Sequence, residues 1–291
     1  MKLYGASRQA GWQALLMLLV VIVFSIGVQA DDKGKVLIVV SSVSEISLQD
    51  GKSYPTGYFL NELAVPVKVL IDAGYTPVFA NPKGNAVQWD VHSIDKQFFG
   101  GDEQLLEKTM AFAKGLKGLQ TPERLGKILQ QGIDEYAGIF VPGGHAPMGD
   151  LLVNPEMGKI LKKFHEQKKP TALICHGPIA LLSAMSDASG FTGGMQNGDA
   201  KQRDAASQDW PYAGYRMTVF STAEERVAEQ YQLQGKVKFY PAEALAEAGA
   251  IVESGKMWQS HVVQDRELLT GRQPFSDEAF AKRFIAMLSG K

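Results

Sequence analysis

Thr171 to Ala184 reads TALICHGPIALLSA. The first four residues form a short apolar run of the kind that makes a buried strand. Cys175 and His176 follow at once. Gly177-Pro178 then opens a helix, because the fixed φ of proline suits the first helical turn. A residue on such a strand-to-helix turn is lifted out at the carboxyl end of a sheet, the geometry of a nucleophile elbow. Backbone N–H groups and the helix dipole at that point favour a thiolate. Cys175 is the only cysteine in 291 residues, so it cannot form a disulfide within the chain. An isolated cysteine is by default a small buried apolar residue. The histidine and the tight turn that follow this one favour a nucleophile instead.

Outward from the elbow, strand-like and helix-like segments alternate. Lys35 to Ser41 (KVLIVVS), Thr76 to Ala80, Gly138 to Val141 and Met217 to Phe220 read as strands. Gln259 to Val263 and Glu267 to Thr270 form a late strand pair. Helical spacing runs through Gly57 to Ala73, where Leu60, Leu63, Val67, Leu70 and Ile71 share a face and Pro66 either kinks the helix or marks its start. Further helices are expected at Pro155 to Gln167, Pro241 to Glu247 and Ser276 to Leu288, the last with Ser276 as its N-cap. This alternation predicts an α/β fold with a mostly parallel sheet covered on both faces. Two polar stretches, 82–135 and 190–215, fit it poorly. They read as insertions or a small lid over the end of the sheet where α/β sites lie.

Residues 1–30 stand apart. Lys2 and Arg8 precede an apolar run from Ala14 to Val28, which ends in Val28-Gln29-Ala30 before Asp31-Asp32. This is the pattern of a cleaved secretory signal. The expectation is a periplasmic or secreted protein whose mature chain, 31–291, is one domain. The run is short for a membrane span of roughly 20 residues, and an uncleaved inner-membrane anchor is the alternative. Without Lys2 and Arg8 the mature chain has 28 basic against 31 acidic residues, a net charge of −3. That balance argues against nucleic acid or an anionic membrane as a partner.

A nucleophile needs an anion site. Val141 to Gly144 (VPGG) ends a strand in a glycine pair that can aim backbone N–H groups at a developing oxyanion. Gly143, Gly144, His145 and Gly177 are the expected substrate-binding positions. Among the other histidines, His165 on a charged helix face reads as solvated and His261 as structural. His92 with Asp90 lacks a second ligand pair, so no metal site is expected.

The runs LICHGP (Leu173 to Pro178) and FVPGGHAPMGDL (Phe140 to Leu151) resemble the ThiJ/PfpI superfamily, within the class I glutamine-amidotransferase-like fold. Three more stretches resemble its glyoxalase III and heat-shock-chaperone branch: TGYFLNELAVP (Thr56 to Pro66), VFSTAEE (Val219 to Glu225) and LTGRQPFS (Leu269 to Ser276). The chain departs from the pattern at Ala146-Pro147, where the family often has glycine, and at Gln273, where asparagine is usual. The resemblance implies a flavodoxin-like three-layer architecture. It also implies a Cys175–His176–Glu225 arrangement with Glu62 against the sulfur. The implied activity is conversion of a small 2-oxoaldehyde such as methylglyoxal to a 2-hydroxy acid, without glutathione, metal or other cofactor. A holdase chaperone and a cysteine peptidase or amidase on the same groups are the alternatives. The sequence leaves the assembly open, and a homodimer is compatible with it.

Overall fold

Strand β1 (Lys35–Val39) sends Leu37 and Val39 to one core and Val36 and Ile38 to another, all of them fully buried. Such a strand belongs in the middle of a sheet with helices on both faces. The computed structural model describes residues 33–290, and the expected export segment lies outside them. After β1 come a hairpin of β2 (Glu45–Ser47) and β3 (Ser53–Pro55), helix α1 (Leu60–Asp72) and β4 (Thr76–Asn81). Next are α2 (Glu103–Gly115), β5 (Glu123–Arg124), α3 (Leu125–Gln131), β6 (Tyr136–Val141), α4 (Pro155–Glu166) and β7 (Thr171–Ile174). Beyond the cysteine lie α5 (Ala188–Asn197), α6 (Ala200–Ser207), β8 (Arg216–Met217), α7 (Thr222–Ala228) and α8 (Pro241–Glu247). The chain ends with β9 (Ile251–Val252), β10 (Val262–Asp265), β11 (Leu268–Gly271) and α9 (Asp277–Leu288).

The main sheet contains parallel strands in the order β4-β1-β6-β7-β11, which is the 2-1-3-4-5 order of flavodoxin-like folds. The short β5 extends one edge in parallel, and β10 closes the other antiparallel to β11. One core lies against α3 and α4, the other against α1, α2 and α9. The expected α/β sandwich is therefore present. No helix among the described residues is long and apolar enough to cross a membrane.

Several local expectations are corrected. Pro66 lies inside α1 and does not start it. It has no N–H to give the carbonyl of Glu62 four residues earlier. The strand expected over Met217 to Phe220 shrinks to β8, because the chain from Thr218 leaves to cap α7 through Ser221. The helix after the elbow is a 3-10 helix over Gly177–Ala184, buried along its whole length. Helix α4 meets it at Gly158, where a Cβ would strike the carbonyl of Ser183.

The two polar stretches are not simple lids. Within 82–135, β5 joins the sheet, and α3 buries Leu125 and Ile128 in the core. Within 190–215, Trp210 donates to the carbonyl of Leu181 at 2.7 Å, and Tyr212 is buried. This segment braces the 3-10 helix from its far side. His165 is not simply solvated. Its Nδ1 meets Glu267 Oε1 at 2.8 Å, and Tyr215 donates to the same oxygen at 2.9 Å.

Candidate active site

Cys175 follows β7 with φ of +60°. A side chain in this left-handed region costs on the order of 1–3 kcal/mol and persists only where its surroundings fix it. Here Cys175 N–H donates to the carbonyl of Gly271 at 2.8 Å, and its own carbonyl accepts from Phe220 N–H at 3.0 Å. The strained turn swings the sulfur toward the end of β6. The expected elbow geometry is thus present, on a 3-10 helix.

The glycines are there for space. At Gly143 a Cβ would strike both the Glu62 carboxyl and the Cys175 side chain. Gly144, at φ of +89°, lies against the carbonyl of Gly57. These two residues therefore allow α1, β6 and the elbow to converge. Gly177 has another role: it packs 2.7 Å, measured from an added Cβ, from the Val141 carbonyl and lets the 3-10 helix close on β6. The Gly144 and His176 N–H groups both act on the sulfur in the direction of thiolate.

Cys175 Sγ is 3.3 Å from His176 Nδ1. His176 Nε2 meets Glu225 Oε2 at 2.6 Å. The other oxygen of Glu225 meets His145 Nε2 at 2.8 Å. One carboxylate thus serves two histidines, whose rings lie 4.0 Å apart. His145 was expected only to line the site; it is the second partner of Glu225.

Burial and charge set the protonation pattern. Burial alone would raise Glu225, but the two histidines outweigh it and hold its carboxyl far below the usual range. Burial pushes His145 toward neutrality, and Glu225 reverses this, so its pKa is raised. Burial, with the charge of His145 next, lowers His176. Within this coupled cluster a proton is favoured on His145 over His176.

Glu62 lies on the first turn of α1 and is completely buried. Burial drives its pKa well up; Cys175 partly opposes this, while Asp277 and Asp90 add to the rise. Its two oxygens have no aligned hydrogen-bond partner. Burial thus favours the protonated form of Glu62, with the Cys175 thiol and the Gly144 N–H beside its carboxyl. Burial also raises Cys175, with the Glu62 charge next. The N–H groups of the turn favour a thiolate as expected, but burial, with Cys175 only 3% exposed, and the Glu62 charge outweigh them. The resting group is a thiol, and its ionisation is coupled to proton movement in the site.

The closing motif near residue 272 acts from behind. Arg272 and Glu224 are both buried and form a two-pronged ion pair, Nε to Oε2 at 2.9 Å and Nη2 to Oε1 at 2.8 Å. Glu224 also completes a capping box with Ser221 and accepts from Trp258 N–H at 2.8 Å. This fixes the start of α7, and with it Glu225. Arg272→Met leaves Glu224 buried without its cation. The expected cost is about 3–5 kcal/mol, read as the shift in a urea unfolding curve; a change below about 1 kcal/mol would contradict this role.

The site is roofed largely by residues outside the quoted motifs, Tyr54, Asp90 and His92, with Phe220 from one of them. Tyr54, on β3, presents its ring to His145 with centroids 5.7 Å apart. Its hydroxyl meets His92 Nδ1 at 2.8 Å. Asp90, fully buried, accepts from Thr56 at 2.9 Å and from His92 N–H at 2.9 Å. Asp90 and His92 thus belong to the roof. Phe220 covers His176 at 4.7 Å between centroids.

One ring nitrogen each of His145 and His176 and a Glu225 oxygen lie within 4.8 Å of one another and are the donor types that hold zinc. The two nitrogen–oxygen contacts are of hydrogen-bond length, and a cation would have to spread both. As arranged, the cluster is linked by protons.

The DJ-1/PfpI family model matches residues 56–202, which include Glu62, the glycine pair and the elbow. The chain belongs to the DJ-1/PfpI family. Among curated relatives, the "Protein/nucleic acid deglycase HchA" of Pseudomonas aeruginosa (strain UCBPP-PA14) is 27% identical over 254 residues, covering 85% of this chain and 78% of the relative. A protein of the same name from Staphylococcus aureus (strain bovine RF122 / ET3-1) is 26% identical over 261 residues, covering 88% and 80%. Two solved structures share the DJ-1/PfpI fold. The Rapid Encystment Protein 24 KDa of Francisella tularensis has a TM-score of 0.65 at 23% identity, covering 88% of this chain and 99% of that one. The glyoxalase III of Candida albicans has a TM-score of 0.60 at 20% identity, covering 88% and 98%.

Proposed function

We propose that this protein is a glutathione-independent enzyme of the glyoxalase III type, turning methylglyoxal-like 2-oxoaldehydes into 2-hydroxy acids. The observation that carries this reading is the pairing of an elbow thiol with a completely buried glutamic acid whose pKa burial raises, and whose carboxyl faces only the thiol and the Gly144 N–H.

The groups present balance every proton of the reaction. Cys175 gives its proton to His176 Nδ1 and bonds to the aldehyde carbon. The carbonyl oxygen takes the proton of Glu62, and a hemithioacetal forms. Glu62, now a carboxylate, removes the proton from that carbon, passes through an enediol and returns it to the neighbouring carbon, while the hydroxyl proton moves between the two oxygens. The product is a thioester. Water then adds to it, giving one proton to Glu62; the thiolate leaves and recovers its proton from His176. The net change is addition of one water to the 2-oxoaldehyde. The relatives named protein/nucleic acid deglycase are consistent with a thiol directed at carbonyl-derived carbon.

The test is purified protein with methylglyoxal and no thiol cofactor, followed by enzymatic assay of lactate. Lactate formation is the expected result, and its absence overturns the reading. We further propose that the chain is exported, on the strength of residues 1–30; N-terminal sequencing of the mature protein should begin at Asp31.

A second reading, holdase activity, is favoured by an apolar groove of about 740 Å³ beside α1 and α2, lined by Val65, Val69, Phe98, Leu105 and Phe112.

A further inference from the structure

A cavity of about 550 Å³ opens beside Trp258, Tyr231, Phe98 and Phe275, with Gln232 and His92 also on its wall. Three of these residues reach the site through one intervening side chain each. Trp258 packs on Phe220 at 6.1 Å, and Phe220 covers His176. His92 holds Tyr54, which lies against His145. Phe98 stands edge-on to Phe59 at 4.9 Å, and Phe59, the N-cap of α1, donates its N–H to the Gly143 carbonyl at 3.1 Å. Tyr231 and Gln232 lie on a π-helical turn, Glu229–Leu233, that continues α7 beyond Glu225.

Two features of these walls are unusual for plain surface. Trp258 has φ of +57°, a conformation that tryptophan rarely adopts, and its N–H is tied to the buried Glu224. The π-turn is a rare local geometry that recurs at functional sites. Both hold large aromatic rings at the cavity, with Trp258 39% and Tyr231 73% exposed. The volume falls in the range of sites for ligands of roughly 300–1,000 Å³, well beyond the needs of a three-carbon aldehyde.

We infer that this cavity is the mouth of the catalytic site and receives the substituent of a 2-oxoaldehyde when that substituent is aryl or another flat apolar group. The inference rests on the glyoxalase III-type reading of Cys175 and names the substrate class it serves. Among the described residues the lining has Asp95 and no lysine or arginine, so a phosphorylated or carboxylated substituent meets a like charge and no fixed cation there. A flat ring finds faces and edges on several sides, the arrangement in which aromatic pairs gain beyond simple burial.

Binding is measured apart from turnover. In Cys175→Ser protein, calorimetry compares mandelate, the 2-hydroxy acid product of phenylglyoxal, with lactate. Mandelate should bind about 10-fold or more tightly. Trp258→Ala should reduce that preference to about twofold, and Tyr231→Ala, at a more exposed position, should reduce it as well, which guards against a folding defect in the first variant. Equal affinities in the parent protein, no mandelate binding, or a preference unchanged in both variants overturns the subsite. Turnover supplies the other arm: in the wild type, kcat/KM should favour phenylglyoxal over methylglyoxal, and Trp258→Ala should lower that ratio about 10-fold. If neither aldehyde is turned over while the mandelate preference persists, the glyoxalase reading fails and the subsite stands. If methylglyoxal is turned over with no aryl preference in binding or rate, the subsite fails alone.

Discussion

Cys175→Ser protein should form lactate from methylglyoxal at no more than about one ten-thousandth of the wild-type kcat, the order expected when a covalent nucleophile is removed. Serine is the informative replacement because it keeps the side chain's shape on a turn held at φ of +60°. The hydroxyl, buried where the thiol was, is a far weaker nucleophile and a far weaker acid, so His176, whose basicity burial lowers, is poorly matched to it. Unfolding by urea should change by only about 1–3 kcal/mol, the range for a polar group placed at a buried position. A loss of activity with a native-like unfolding curve assigns the effect to chemistry. Retention of a tenth of the wild-type rate would sink the covalent route. The same protein decides the second reading. The apolar groove beside α1 and α2 contains no part of the elbow, so a holdase working there should still suppress aggregation of an unfolding client after Cys175→Ser. Loss of suppression along with turnover would remove that role.

What the sequence reveals of this site follows the distance over which each contact is made. The elbow is legible because strand, cysteine, histidine, glycine and proline are consecutive, and one turn fixes all of them. The α/β class is legible because short apolar runs such as KVLIVV alternate with helix-spaced segments, a local pattern repeated along the chain. Glu62 and Glu225 are different. They lie 113 and 50 residues from Cys175, as the numbering of the chain gives, and neither differs locally from a solvated acid on a helix. Only the family resemblance singled them out. The sharing of Glu225 by His145 and His176 was not legible at all, since it depends on how β6 and the elbow sit side by side. Nor was the ion pair of Glu224 with Arg272, which joins two motifs that look independent in the sequence. Tyr54 was missed because β2 and β3 have three residues each, too few for a period to register, and Asp90 with His92 was weighed only as a metal pair because its partner Tyr54 is 36 and 38 residues away. The stretch 190–215 was misread because polar residues on the outer faces of α5 and α6 hide the inward Trp210 and Tyr212. Composition reports the mean of a segment, whereas packing depends on which face a few large residues occupy.

Glu62→Gln should do two things at once: lower kcat by roughly 10²–10⁴-fold and make the protein more stable toward alkaline pH. The first follows from the two tasks that the proposed mechanism assigns to Glu62, giving a proton to the carbonyl oxygen and then taking one from carbon; an amide can do neither. The second follows from burial. The folded-state pKa of Glu62 lies well above its ordinary value of 4.5. Below 4.5 both folded and unfolded chains hold the proton, and its contribution to stability is fully present. Above 4.5 the unfolded chain releases the proton while the folded chain retains it. Raising the pH therefore favours unfolding, and the contribution is lost as the pH approaches and passes the raised folded value. Within that window the wild type should lose about 1.4 kcal/mol per pH unit relative to Glu62→Gln. Urea unfolding of both proteins at intervals from pH 5 to pH 8 measures the difference directly. Parallel stability curves would mean that Glu62 is not held as a neutral acid, and the proton shuttle built on it would fail. Diverging curves together with loss of kcat would identify a carboxyl kept in an unfavourable place because its proton is needed there, the trade between stability and activity that buried catalytic acids embody.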